Sequence, residues 1–158
     1  MTLKLTFGLA SVLMIAACGQ EPVRSAADEA KPAAAVAASD AWCRPSPNGA
    51  QAGACYVTLI SEADDRLMGG STPRAADLQI HDMSMEDGMM KMSQMGAGLP
   101  LAQGQAVALA PGGKHLMLIE LTQPLVAGET VPLTLEFAAA PAVTIDATVG
   151  TGPASARR

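Results

Sequence analysis

Two histidines and a dense run of methionines are the residues of this chain that could do chemistry. His81 is followed two residues later by Met83, and His115 two residues later by Met117. Six of the ten methionines fall between Met83 and Met95. Thioether sulfur is soft and uncharged; it binds Cu(I) well and offers little to Zn(II), Ca(II) or Mg(II), while imidazole is borderline and adds affinity. Thiolates bind more strongly still, but outside the cytoplasm they persist as disulfides, and methionine sulfur does not pair in that way. A site of two His and two Met therefore suits copper(I) in an oxidising compartment. Methionine clusters also fill cores and soften partner surfaces, so the position of these residues on the fold decides what they do.

The elements around them read as strands. Side chains alternate across a strand, so Leu78 and Ile80 share one face while His81 takes the other. In the same way His115 and Met117 share a face, with Leu116 and Leu118 turned to the opposite side. Tyr56–Ile60, Leu78–Ile80, Ala106–Leu109, Leu116–Ile119, Val131–Phe137 and Val143–Val149 are short apolar runs. Pro111-Gly112-Gly113, Ala127-Gly128-Glu129 and Ala140-Pro141 punctuate them. Strands at such spacing, with no long amphipathic helix, predict an all-β, antiparallel β-sandwich. The segment Asp82–Met92 reads as polar and glycine-interrupted, with methionines that cannot all be core.

Composition narrows the classes further. The 158 residues make one ordinary domain, 49% hydrophobic and 16% charged, which is enough to bury a core. Ten Lys+Arg against fifteen Asp+Glu give a net charge of −5 without a basic run, which argues against nucleic-acid binding. There is no Ser-His-acid spacing, no G-x-S-x-G, no phosphate-binding glycine loop and no candidate cysteine nucleophile. Blue-copper electron transfer needs a thiolate beside two histidines. A carrier, not an enzyme, is expected.

The N-terminus reads as an address. Lys4 precedes an apolar run, Leu5 to Ala17, which reaches about 20 Å as a helix and falls short of a ~30 Å hydrocarbon core. Residues 1–17 are therefore expected to be a secretory signal peptide. Ile15-Ala16-Ala17-Cys18 resembles the bacterial lipobox, which predicts lipidation of Cys18, a periplasmic location and a lipid anchor in a membrane, the outer one favoured. Residues 18–39, rich in Ala, Glu, Asp, Lys, Pro and Ser, are expected to be a flexible tether. The β-domain is then expected over 40–150, and a frayed tail over 151–158. With Cys18 consumed, export leaves Cys43 and Cys55 as an even pair, expected as a disulfide. The rival is a metal-binding or redox thiol pair, which the eleven intervening residues do not match as C-x-x-C.

From Asp40 to Val149 the sequence resembles the PCuAC-type periplasmic copper chaperones. The resemblance is carried by Ala41-Trp42-x-Arg44-Pro45, Gly53-Ala54-x-Tyr56, Ile80-His81-x-Met83, Gly88-Met89-Met90-Lys91-Met92 and Pro111-Gly112-Gly113-Lys114-His115-Leu116-Met117-Leu118. His81 to Met92 fits the family's H-x10-M spacing, and His115-x-Met117 its H-x-M. Met92 and His115 are separated by 22 residues where the pattern has 21, and the extra residue is expected in the Gly96–Gly104 loop. The resemblance implies Cu(I) ligands His81, Met92, His115 and Met117, with Met83, Met85, Met89, Met90 and Met95 as candidates for a soft rim or an extra site. It also implies a cupredoxin-like Greek-key β-sandwich, a monomer that delivers one Cu(I) to a respiratory cytochrome oxidase subunit or another copper carrier. A copper-sequestering resistance protein, with several ions in the Met-rich segment, is the alternative.

Overall fold

The computed structural model describes residues 34–153. The expected signal peptide, Cys18, most of the tether and the last five residues of the tail lie outside the described residues. Among the described residues there are ten strands and no helix: β1 (Val36–Cys43), β2 (Ala52–Ser61), β3 (Asp65–Ser71), β4 (Ala75–Glu86), β5 (Met89–Gln94), β6 (Leu99–Leu101), β7 (Ala106–Ala108), β8 (His115–Leu121), β9 (Thr130–Phe137) and β10 (Val143–Val149). The domain thus begins four residues earlier than expected. Residues 36–39, assigned to the tether, are the first half of β1, because Val36–Ser39 pair in register with Ser61–Thr58 of β2.

The strands form one sheet in the order β5-β4-β8-β2-β1-β10-β9-β3-β6, with β7 on β2. A pairing of Gly70 with Leu78 joins β3 to β4 and closes the sheet into a barrel. The all-β expectation holds. Its arrangement is not purely antiparallel, since β1 and β10 run parallel through Trp42↔Thr148 and Cys43↔Val149. One segment expected as a loop, Gly96–Gly104, contains β6, which pairs with β3.

The close approach of β3 to β9 requires glycine. A Cβ at Gly70 would collide with the Thr134 carbonyl of β9, so only a residue without one lets the backbones approach there. Inside the barrel, Val57, Leu59, Leu67, Leu116, Leu118, Leu133 and Leu135 are fully sequestered from solvent. Leu78 and Ile80 join this core from β4. The inward set on β4 and β8 is the one that period-two alternation predicts, which turns His81, His115 and Met117 to the outside.

Cys43 and Cys55 face each other across β1 and β2 and are joined by a disulfide, with Cα atoms 4.0 Å apart and no exposed surface. Closing a loop of this size contributes roughly 3 kcal/mol, mainly by restricting the unfolded chain.

Candidate metal centre

Strand register assembles the outer face of the barrel residue by residue. On β4 and β8, His81 lies opposite His115 and Gln79 opposite Met117. On β8 and β2, Met117 lies opposite Ala54. Tyr56, two residues on from Ala54, pairs with Trp42 of β1. Residues directly opposite one another share a face, so Trp42, Tyr56, His115 and His81 form a row across four strands. Ring centroids are 4.5 Å apart for Trp42–Tyr56, 6.5 Å for Tyr56–His115 and 5.9 Å for His81–His115. Trp42, Tyr56 and His115 are buried, yet none belongs to the barrel core. They shelter one another on the outside.

The strand after His81 continues into a hairpin through the segment read as polar and glycine-interrupted. β4 and β5 pair from His81↔Gln94 through Met83↔Met92 and Met85↔Met90 to Glu86↔Met89. The two-residue connection is Asp87-Gly88, both at positive φ (52° and 78°), which is the type I′ geometry that matches the twist of paired strands. An Asp-Gly dipeptide between alternating residues was the available signal. Methionine, serine and lysine around it gave no β-branched or aromatic support.

The hairpin brings Met83 and Met92 over the histidine row. A shallow cavity of about 250 Å³ is lined by Met83, Met92, His115 and Met117, with Arg44, Ala54, Tyr56 and Gly112. His81 does not line it; its ring centroid lies 5.9 Å from that of His115, which does. Thus Met92, His115 and Met117 share one cavity, and His81 stands at its edge. Among the five second-rank methionines, Met83 joins them. Met85 and Met90 follow on the same face, while Met89 pairs with Glu86 on the reverse. Met95 is partly buried against the core, which fits packing and not a soft rim. A larger cavity of about 560 Å³ adjoins, between Trp42, Pro45, Pro111 and Gly150–Pro153, with Arg44 on the shared wall.

The imidazoles are oriented by groups other than the expected ligands. His115 Nδ1 donates to the Gly113 carbonyl at 2.9 Å, which leaves Nε2 with its lone pair. The Ala110–Lys114 turn holds that carbonyl in place through Gly113 N–H to Ala110 O and Ala110 N–H to Lys114 O. His81 Nε2 donates to Gln79 Oε1 at 3.0 Å, so its lone pair is on Nδ1. That Nδ1 is buried and has no hydrogen-bond partner. Burial, and then the neighbouring His115, hold the His81 pKa below the usual imidazole value. His81 Nδ1 and His115 Nε2, the ring nitrogens not used in these hydrogen bonds, stand beside uncharged thioethers, and the first of them is buried without a partner. Among the described residues no three His, Cys, Asp or Glu side chains come together as a metal cluster. The donor set is two nitrogens plus sulfur, the chemistry of a soft monovalent ion.

Comparison with known proteins gives the family and the fold of the chain. Residues 36–149 match the family described as "Putative lipoprotein LpqE-like". The chain is 30% identical over 135 residues to "Putative lipoprotein Lxx21020" of Leifsonia xyli subsp. xyli, covering 85% of this chain and 81% of that protein. Among solved structures, the copper-bound PCuAC domain from PmoF2 superposes with a TM-score of 0.61 at 24% identity, over 73% of this chain and 92% of that domain. Apo-DR1885 from Deinococcus radiodurans gives a TM-score of 0.55 at 25% identity, over 96% of this chain and 97% of that one. The barrel is the PCuAC-type fold that the sequence motifs suggest.

Proposed function

This chain belongs to the LpqE-like family, and from that premise we propose that it is a lipid-anchored copper(I) carrier of the cell envelope, not an enzyme. The observation that carries the reading is the paired imidazoles of His81 and His115, each turned to leave a lone pair free beside Met92 and Met117. The cargo is one Cu(I), held by His81 Nδ1, His115 Nε2 and the two thioether sulfurs. Neutral donors suit a carrier, because they hold a soft cation without the grip of thiolates and exchange readily with an acceptor's ligands. The acceptor is the copper centre of a respiratory cytochrome oxidase subunit, or another carrier leading to it. Cys18 is the lipidated residue, in agreement with the lipoprotein names of the family and of the Leifsonia relative. The copper-bound state of the PmoF2 domain, which has the same fold, supports the choice of metal.

The test is an anaerobic titration of the chain with Cu(I) against a competing chromogenic chelator. One tight equivalent is expected, weakened at least a hundredfold when Met92 and Met117 are both replaced by Leu. Unchanged affinity in that double variant would overturn the ligand assignment. A storage protein for several ions is the second reading, favoured by the further methionine pair Met85–Met90. Three or more tight equivalents per chain would establish it in place of delivery.

A further inference from the structure

The β4–β5 hairpin sorts its side chains by chemistry. Cross-strand register places Met83 opposite Met92 and Met85 opposite Met90 on the face of His81. Asp82, Ser84 and Glu86 alternate with these methionines and so point to the reverse, together with Met89, Lys91 and Ser93 across from them. On that side Lys91 Nζ lies 2.7 Å from Glu86 Oε2, and Lys114 Nζ 3.8 Å from Asp82 Oδ2. Hard oxygen donors thus sit behind the hairpin with cationic partners. The front carries Met83, Met85, Met90 and Met92, followed by the two imidazoles with Gln94 opposite His81.

The front is also a graded series. His81 with His115 comes first, then Met83 with Met92 at the cavity, then Met85 with Met90 near the Asp87-Gly88 turn. Successive pairs are two residues of strand rise apart, about 7 Å. Opposite residues have Cβ atoms roughly 5 Å apart, close enough for two flexible thioethers to meet one ion. Met85 and Met90 are 63% and 54% exposed, so core packing does not account for them.

We propose that Met85 and Met90 form a second, weaker Cu(I) site at the hairpin tip, through which copper enters on its way to His81 and His115. The inference rests on the Cu(I)-carrier reading above. Each step exchanges sulfur–copper bonds: those to Met85 and Met90 break as those to Met83 and Met92 form, and the ion remains Cu(I) with no electron transferred. Two thioethers without an imidazole hold the ion less firmly than the four-donor set, so loading runs downhill toward the histidines.

The experiment is ¹³C-methyl NMR of the methionines during an anaerobic titration of the full chain with chelator-buffered Cu(I), alongside the Met85→Leu/Met90→Leu variant. Leucine keeps the apolar surface and removes the sulfur, so a purely packing or docking role would be preserved. In the wild type the Met92 and Met117 methyls are expected to shift with the first equivalent, and those of Met85 and Met90 with a second, weaker one. The variant is expected to keep the first equivalent, lose the second and load from the chelator complex at least threefold more slowly. Met85 and Met90 methyls that stay unmoved in excess Cu(I), or a variant that loads as fast as wild type, would overturn the tip site while the carrier reading stands. No copper bound by the wild type at all would overturn the carrier reading and this inference with it.

Discussion

His81 combines a lowered pKa with a buried Nδ1 that has no hydrogen-bond partner. Burial and the adjacent His115 both disfavour its imidazolium, so its pKa lies below the ordinary value of about 6.5. Only the neutral ring binds a metal, and protons therefore compete with copper below the folded pKa and not above it. Cu(I) affinity is expected to hold at neutral pH and to fall by about tenfold per pH unit once the pH drops through the lowered His81 pKa. Chelator competition at a series of pH values measures this; a flat profile down to pH 5 would point to a methionine-only site. The face of each histidine was legible from alternation with Leu78, Ile80, Leu116 and Leu118. Its tautomer was not, since that depends on Gln79 Oε1 and on a carbonyl fixed by the Ala110–Lys114 turn.

At the scale of the element, the hairpin is what brings Met83 and Met92 to the cavity of His115 and Met117. Met92 reaches the cavity only because β5 is folded back on β4 in one register, and a slip by one residue would turn its sulfur to the reverse face. The Asp87-Gly88 turn fixes that register. Gly88 has φ 78° and open space around it, so alanine there meets no clash but takes up a left-handed backbone at a cost of about 1–2 kcal/mol. Gly88→Ala is expected to leave the barrel's urea midpoint nearly unchanged while speeding amide exchange across Met83–Met92 and weakening Cu(I). Equal protection in the variant would show that β5 is held by something other than its turn. The strand alternation of β8 and β9 could be read from leucines and valines. That of β5 was obscured because its residues are all exposed, and a strand with no buried face leaves no hydrophobic period to read.

For the whole molecule, the barrel is closed by the pairing of β3 with β4, and the neighbouring strands β1 and β2 are stapled covalently. Replacing Cys43 and Cys55 by Ala is expected to lower stability by about 3 kcal/mol and Tm by roughly 10 °C, with Cu(I) stoichiometry unchanged, as both sulfurs face the core. Calorimetry with and without copper checks both halves of that statement. The even cysteine count made the disulfide readable. The parallel β1–β10 pair and the β3–β4 seam were not, because they join residues far apart in sequence, and nothing local in Asp65–Ser71, with its Gly69-Gly70, marks a strand.

The course of β1 has a mechanical side. It runs from Val36, opposite Ser61, to Trp42 in the aromatic row, a span of about 20 Å, with β2 hydrogen-bonded along one edge and β10 along the other at its far end. Any tether acting through the residues before Val36 grips the barrel at the end remote from the histidines. The cavity then points away from the point of attachment, with the length of a strand as its lever arm. A pull on that tether loads the β1–β2 ladder in shear, so many hydrogen bonds share the force at once.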